Sequence, residues 1–168
     1  ALGIHVHFLT KEDLASGDLS RYNEILVGVR AYAVRDDLRT YNDRLLDYVK
    51  RGGSVVVQYQ TPEFDHDFGP YPYVMTSDPE EVTDEHSVVK LLDPQNPAMR
   101  WPNVITPKDF DGWIEERGSK FLQSWDTHYT PLLETHDPGQ SPQEGGMVIA
   151  PYGKGVWMYT AYAFYREL

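Results

Sequence analysis

Apolar and polar positions alternate almost from the first residue. Ile4, Val6 and Phe8 are separated by His5 and His7, and this period of two predicts a half-buried strand over Ile4 to Leu9. Glu24 to Val29 carries the run Ile25-Leu26-Val27, a short apolar stretch of the parallel-sheet kind. From Asp37 to Lys50 the spacing changes. Leu38, Tyr41, Leu45 and Tyr48 with Val49 fall on one face of a helix. Asp36 and Asp37 suit its positive N-terminal end, and Lys50 and Arg51 its C-terminal end. Gly52-Gly53 stops it, and Val55 to Tyr59 predicts a buried strand. Strand, helix, glycine pair and strand make a right-handed βαβ crossover.

The middle of the chain is different. Between positions 61 and 106, Pro62, Pro70, Pro72, Pro79, Pro94, Pro97 and Pro102 interrupt any long element. Val88 to Leu92 reads as a strand. Pro107 to Arg117 reads as a second helix, with Thr106 as its cap, Pro107 at its first position, Asp109 at its third and Gly118 as its stop. Phe110, Trp113 and Ile114 form its apolar face. His136-Asp137-Pro138-Gly139 is a turn. Met147 to Ala150 and Val156 to Ala161 predict a hairpin around Tyr152-Gly153-Lys154-Gly155. No internal repeat or low-complexity tract is present.

Two helices and about five strands predict one three-layer α/β domain spanning residues 1–168, with an irregular proline-rich insertion over 61–106. Ligands of such folds bind beyond the C-terminal ends of the parallel strands. Those ends are Arg30-Ala31-Tyr32 and Gln58-Tyr59-Gln60-Thr61, with Trp125 to His128 and Tyr162 to Arg166 expected to close over them.

Composition narrows the classes. The chain has 168 residues and 40% hydrophobic positions, enough for one domain with a real core. Its net charge of −11 disfavours nucleic acid and anionic membrane partners. No apolar run approaches a membrane span, and the opening residues lack a signal pattern and look like an interior start. Cysteine is absent, which removes disulfides, zinc-thiolate sites and a thiol nucleophile and leaves the compartment open. Twelve Tyr and four Trp suit a binding face, although any single ring is as readily explained by the core.

Several phrases resemble one family. They are Asp18-Leu19-Ser20-Arg21-Tyr22 leading to Gly28-Val29-Arg30-Ala31-Tyr32, Asn42 with the helix into Gly52-Gly53-Ser54-Val55-Val56-Val57, and Pro70-Tyr71-Pro72-Tyr73. Ile105 to Trp113, Tyr129-Thr130-Pro131-Leu132-Leu133, and Tyr152-Gly153-Lys154-Gly155 through Tyr162 complete the set. Together they resemble the class I glutamine amidotransferase-like domain that follows the catalytic domain in large bacterial PIG-L/LmbE-type deacetylases. The Gly-Lys-Gly hairpin is less specific, since it recurs in trehalose-utilisation (ThuA-like) and β-galactosidase accessory domains. The resemblance implies a flavodoxin-like sheet whose family members carry a central strand before the position of Ala1 and a closing helix after Leu168. It implies a deacetylase catalytic domain, or another chain that completes the sheet, as partner. The host deacetylases often look exported, which leans the expectation towards the periplasm or the outside.

The chemistry of an amidotransferase is missing. The nucleophile turn falls after Val55-Val56-Val57, where the chain reads Gln58-Tyr59-Gln60-Thr61. The family's later His-x-Glu falls at Ala161-Tyr162-Ala163-Phe164. Covalent glutamine hydrolysis is excluded, and no catalytic residue is assigned. Asp65-His66-Asp67 and His136-Asp137 lack the spacing of a metal site, so no metal or other cofactor is expected. A carboxylate or histidine hydrolase would draw on Glu63, Asp65, Asp126 and His128. The favoured expectation is a non-catalytic accessory domain with a saccharide cleft. Tyr32, Tyr59, Trp125 and Tyr162 supply rings, Arg30 and Gln60 polar partners, and His128 lies beside Trp125. A pure scaffold or oligomerisation domain is the remaining alternative.

Overall fold

The apolar runs pair. In the computed structural model, which describes residues 4–64, 68–75 and 81–167, Lys11–Ser16 (α1) precedes Glu24–Val27 (β1). Three short helices, Ala31–Val34 (α2), Asp36–Thr40 (α3) and Asn42–Lys50 (α4), lead to Ser54–Val57 (β2). β1 and β2 lie side by side and parallel, with Ile25 opposite Val55 and Val27 opposite Val57. Nine further strands follow: Tyr73–Met75 (β3), Glu81–Val82 (β4), Lys90–Leu91 (β5), Gly118–Ser119 (β6), Leu122–Trp125 (β7), Thr130–Pro131 (β8), Leu133–Glu134 (β9), Met147–Tyr152 (β10) and Gly155–Thr160 (β11). The main sheet has the order β1-β2-β11-β10-β8, with β11 parallel to β2 and β10 antiparallel to its neighbours. The pairs β3–β7, β4–β6 and β5–β9 form three small ribbons, each joining one strand of the proline-rich middle to one from residues 118–134. The architecture is mixed α/β.

The two faces of the sheet differ. Ile25, Val55, Trp157 and Ala150 form one cross-strand row, and Val27, Val57, Tyr159 and Val148 the next; all eight are buried. α4 packs on this face, so closely that a Cβ on Gly155 would stand 2.1 Å from the Val49 carbonyl oxygen. Phe64 covers the rest, its ring 5.5 Å from Tyr159 and 6.3 Å from Trp157. On the opposite face Leu26, Val56, Met158 and Ile149 lie in register as a third apolar row. Leu26 is 60% exposed there, and the other three are half-buried.

Three sequence expectations are corrected. Ile4 to Leu9 forms no strand and joins no ladder among the described residues; His7 instead stacks on Tyr22 at 5.6 Å and meets Asp13 at 3.2 Å. The helix expected over Asp37 to Lys50 is two helices. Tyr41, at φ −111° and ψ 20°, separates α3 from α4. The helix expected over Pro107 to Arg117 is a single 3-10 turn, Pro107–Phe110. Its cap forms, with the Thr106 N–H and hydroxyl both donating to Asp109 at 2.6 and 2.9 Å. Gly112 at φ 77° and Glu115 at φ 70° then leave the right-handed helical region. α1 was not anticipated, yet its signal is present: Thr10 and Asp13 form a reciprocal capping box.

Candidate functional site

The loops beyond β1 and β2 are tied together by Gln60. Its Oε1 accepts from the Tyr32 N–H at 3.0 Å, and its Nε2 donates to the Gly28 and Gln58 carbonyls at 2.8 Å each. The side chain is wholly buried, so every polar atom it owns is used on backbone. Beside it the Arg30 N–H donates to the Tyr59 carbonyl at 2.9 Å. Arg30 itself sits at φ 55° and ψ 20°, left-handed backbone that a non-glycine residue adopts at a cost of about 1–2 kcal/mol. Glu115 and Lys120 share this left-handed backbone.

This scaffold presents a small polar and aromatic cluster. Arg30 is exposed and Tyr59 half-buried. The Glu63 carboxyl is held below its ordinary range by the Thr61 hydroxyl first, with Arg30 and Arg39 adding attraction. Tyr165 lies close enough to Tyr59 and Glu116 to feel both, and burial foremost pushes its phenol up. Glu116 is pushed up by burial and then by Glu81, and it pairs with Arg166 at 3.3 Å. Tyr165 lies in the Tyr162 to Arg166 segment expected from sequence to close over the strand ends, whereas Glu116 was not singled out within the stretch read as a helix over Pro107 to Arg117.

The remaining expected site residues divide. Tyr32, Gln60 and Tyr162 are buried and cannot touch a ligand in this conformation. The Tyr32 hydroxyl donates to Asn42 at 2.6 Å, and its ring meets those of Phe64 and Phe68 at a tilt, 4.9 and 4.8 Å away. Tyr162 packs among Phe110, Phe121 and Phe164. Trp125 and His128 lie at the other end of the sheet. His128 stacks on Tyr71 at 4.1 Å, and the Tyr71 hydroxyl donates to the Pro151 carbonyl at 3.1 Å. Pro151 is opposite Val156, which aligns with Ser54 at the start of β2, whereas Tyr59 lies past its end. That separation is roughly 16 Å along the strand.

The Trp125 end has its own pair. Asp126 Oδ1 is 2.5 Å from His128 Nδ1 and 2.9 Å from the His128 N–H. The backbone bond first, and then the imidazole, hold the Asp126 carboxyl below its usual range. An acid holding a histidine supplies two of the three members of a catalytic triad, but no Ser or Thr hydroxyl is bonded to this histidine among the described residues. His136-Asp137 is a structural clip. Asp137 accepts from the Thr83 N–H and hydroxyl, the Asp84 N–H and the Ser87 hydroxyl at 3.0–3.2 Å. Asp65-His66-Asp67 lies outside the described residues. Among the described residues no three His, Asp or Glu side chains are grouped to hold a metal ion, and no helix is long and apolar enough to cross a membrane. A cleft of about 460 Å³ lies at the start of β1 and β2. Its Arg44 is engaged internally, donating to the Leu14 carbonyl and, at 2.6 Å, to that of Gly17.

No protein-family profile and no curated protein matches the chain. Solved structures do. It is similar to the cytoplasmic protein STM3548 from Salmonella typhimurium, with a TM-score of 0.56 and 12% identity over 94% of this chain and 70% of that one. It is similar to the cytoplasmic protein STM1381 from Salmonella typhimurium LT2, with a TM-score of 0.52 and 14% identity over 95% of this chain and 71% of that one. It is also similar to a cold-adapted beta-galactosidase from Rahnella sp. R3, with a TM-score of 0.54 and 18% identity. There it covers 88% of this chain but only 21% of the enzyme. At these identities the likeness is one of fold.

Proposed function

We propose that this chain is a non-catalytic, amidotransferase-like accessory domain of flavodoxin-like ancestry, serving a carbohydrate-processing enzyme and offering a saccharide cleft at the ends of β1 and β2. The sequence resemblance makes a PIG-L/LmbE-type deacetylase catalytic domain the proposed partner. The match to about a fifth of a beta-galactosidase supports the idea that this fold serves as one part of a larger sugar enzyme. The absence of cysteine supports a role without amidotransferase chemistry. The observation that carries the cleft is Arg30, held in left-handed backbone at the end of β1 and tied to Tyr59. Tyr59 and Tyr165 would stack on a sugar ring, with Arg30 and Glu63 bonding its hydroxyls.

The test is a nuclear magnetic resonance titration of the chain with N-acetylglucosamine oligosaccharides and with β-galactosides. Amides of residues 28–32 and 58–63 should shift. Arg30→Gly relieves the backbone and should leave the fold intact or firmer while removing the response, and Tyr59→Ala should do the same without unfolding. A flat titration with both sugar classes would refute the cleft.

A further inference from the structure

Two features of this chain lack strand partners among the described residues, and they complement each other. β1 is an edge strand of the main sheet; among the described residues nothing pairs with its outer side. The Val27 carbonyl accepts from the Gln58 N–H, so Ile25 and Val27 turn their backbone groups towards β2. In a parallel pair the intervening Leu26 therefore turns its N–H and C=O outward. Its side chain, 60% exposed, is also the end of the open apolar row continued by Val56, Met158 and Ile149. The second feature is Ile4 to Leu9. It has strand periodicity but no ladder among the described residues, and it exposes Ile4, Val6 and Phe8 at 71%, 73% and 88%. The segment is anchored at its far end by the Thr10–Asp13 capping box, with the Leu9 carbonyl accepting from Arg35 at 3.0 Å.

A free sheet edge and a free strand in one molecule are the two halves of a β-addition contact. We propose that this chain associates with a second copy of itself, Ile4 to Leu9 of one protomer adding to the outer edge of β1 in its partner, and the reverse. A two-fold exchange satisfies both edges at once. It sets Ile4, Val6 and Phe8 beside Leu26 and extends the open row across the boundary between protomers. Local charge permits it despite the net charge of −11. Ile4 to Leu9 carries no carboxylate, and β1 carries one, Glu24.

The chain has no cysteine, which makes the contact directly readable. A Val6→Cys chain and a Leu26→Cys chain, mixed and oxidised, should form a mixed disulfide faster than either forms with itself. Analytical ultracentrifugation should find a dimer of the unmodified chain. Leu26→Lys and Val6→Asp should each weaken it about tenfold or more. Both sites are exposed, so circular dichroism should show each variant folded. An unmodified chain that stays monomeric at the highest measurable concentration overturns the proposal. A dimer indifferent to both substitutions overturns it too.

Discussion

Gln60 shows how a residue chosen as a ligand contact becomes scaffold. Its polarity and its place after a strand were visible in sequence, but the direction of its side chain was not. Replacing it with Ala leaves the Tyr32 N–H and the Gly28 carbonyl with fewer partners in a buried setting. Gln60→Ala should cost about 2–3 kcal/mol in urea denaturation, whereas Tyr59→Ala should cost about 1 kcal/mol or less. Asp137 makes a second residue-scale case. Burial pushes its carboxyl up, but the N–H groups of Asp84 and Thr83 and the hydroxyls of Thr83 and Ser87 outweigh it and hold it below the ordinary value. A depressed folded-state pKa gives stability that is fully present above the unfolded value of about 3.9 and is lost as pH falls through the folded one. Asp137→Ala should therefore lower stability by about 1–3 kcal/mol at neutral pH and flatten the acid limb of a denaturation-against-pH curve. An unchanged acid limb would remove Asp137 from the account.

Elements were legible where the chain supplied its own partner. Ile25-Leu26-Val27 and Val55-Val56-Val57 announced β1 and β2, and the Gly-Lys-Gly turn announced the β10–β11 hairpin. Ile4 to Leu9 was misread because alternation reports that a segment can pair, not that a partner is present. The helix pieces were misread for another reason. Apolar spacing is preserved across Tyr41, and only the backbone angles break it. The hairpin makes a strong prediction at this scale. Gly153 holds φ 61°, and a Cβ on Gly155 would meet the Val49 and Gly53 carbonyl oxygens at 2.1 and 2.2 Å. Those are backbone atoms and cannot swing aside. Gly155→Ala should cost about 3 kcal/mol by forcing α4 off the sheet. Equal chemical denaturation midpoints for the variant and the parent would show that α4 and the hairpin are less tightly seated than the geometry states.

At the scale of the molecule, the three ribbons are joined to the main sheet by a few backbone bonds, among them Leu122 N–H to the Gly145 carbonyl and Ser119 N–H to that of Ala161, and by side chains packed between them. Phe64 supplies such a side-chain link for the β3–β7 ribbon. It contacts Tyr32 and Phe68 on one side, Tyr73 from β3 on another, and Trp157 and Tyr159 of the sheet beneath. Nothing in its local sequence, Thr61-Pro62-Glu63-Phe64, distinguished it from any other loop aromatic, because its partners lie up to 95 positions away. Removing the ring leaves a cavity bounded by other rings that cannot collapse far, which places Phe64→Ala near 3–5 kcal/mol. The same geometry fixes how the loss should appear. If Phe64 binds the ribbons to the sheet, the aromatic near-ultraviolet signal and the far-ultraviolet backbone signal of the unmodified chain should fall in one transition. In Phe64→Ala the near-ultraviolet signal should melt first, the ribbons loosening before β1, β2, β10 and β11 separate. Coincident transitions in the variant would mean that Trp157 and Tyr129, whose rings meet at 5.7 Å, suffice to keep the two parts together.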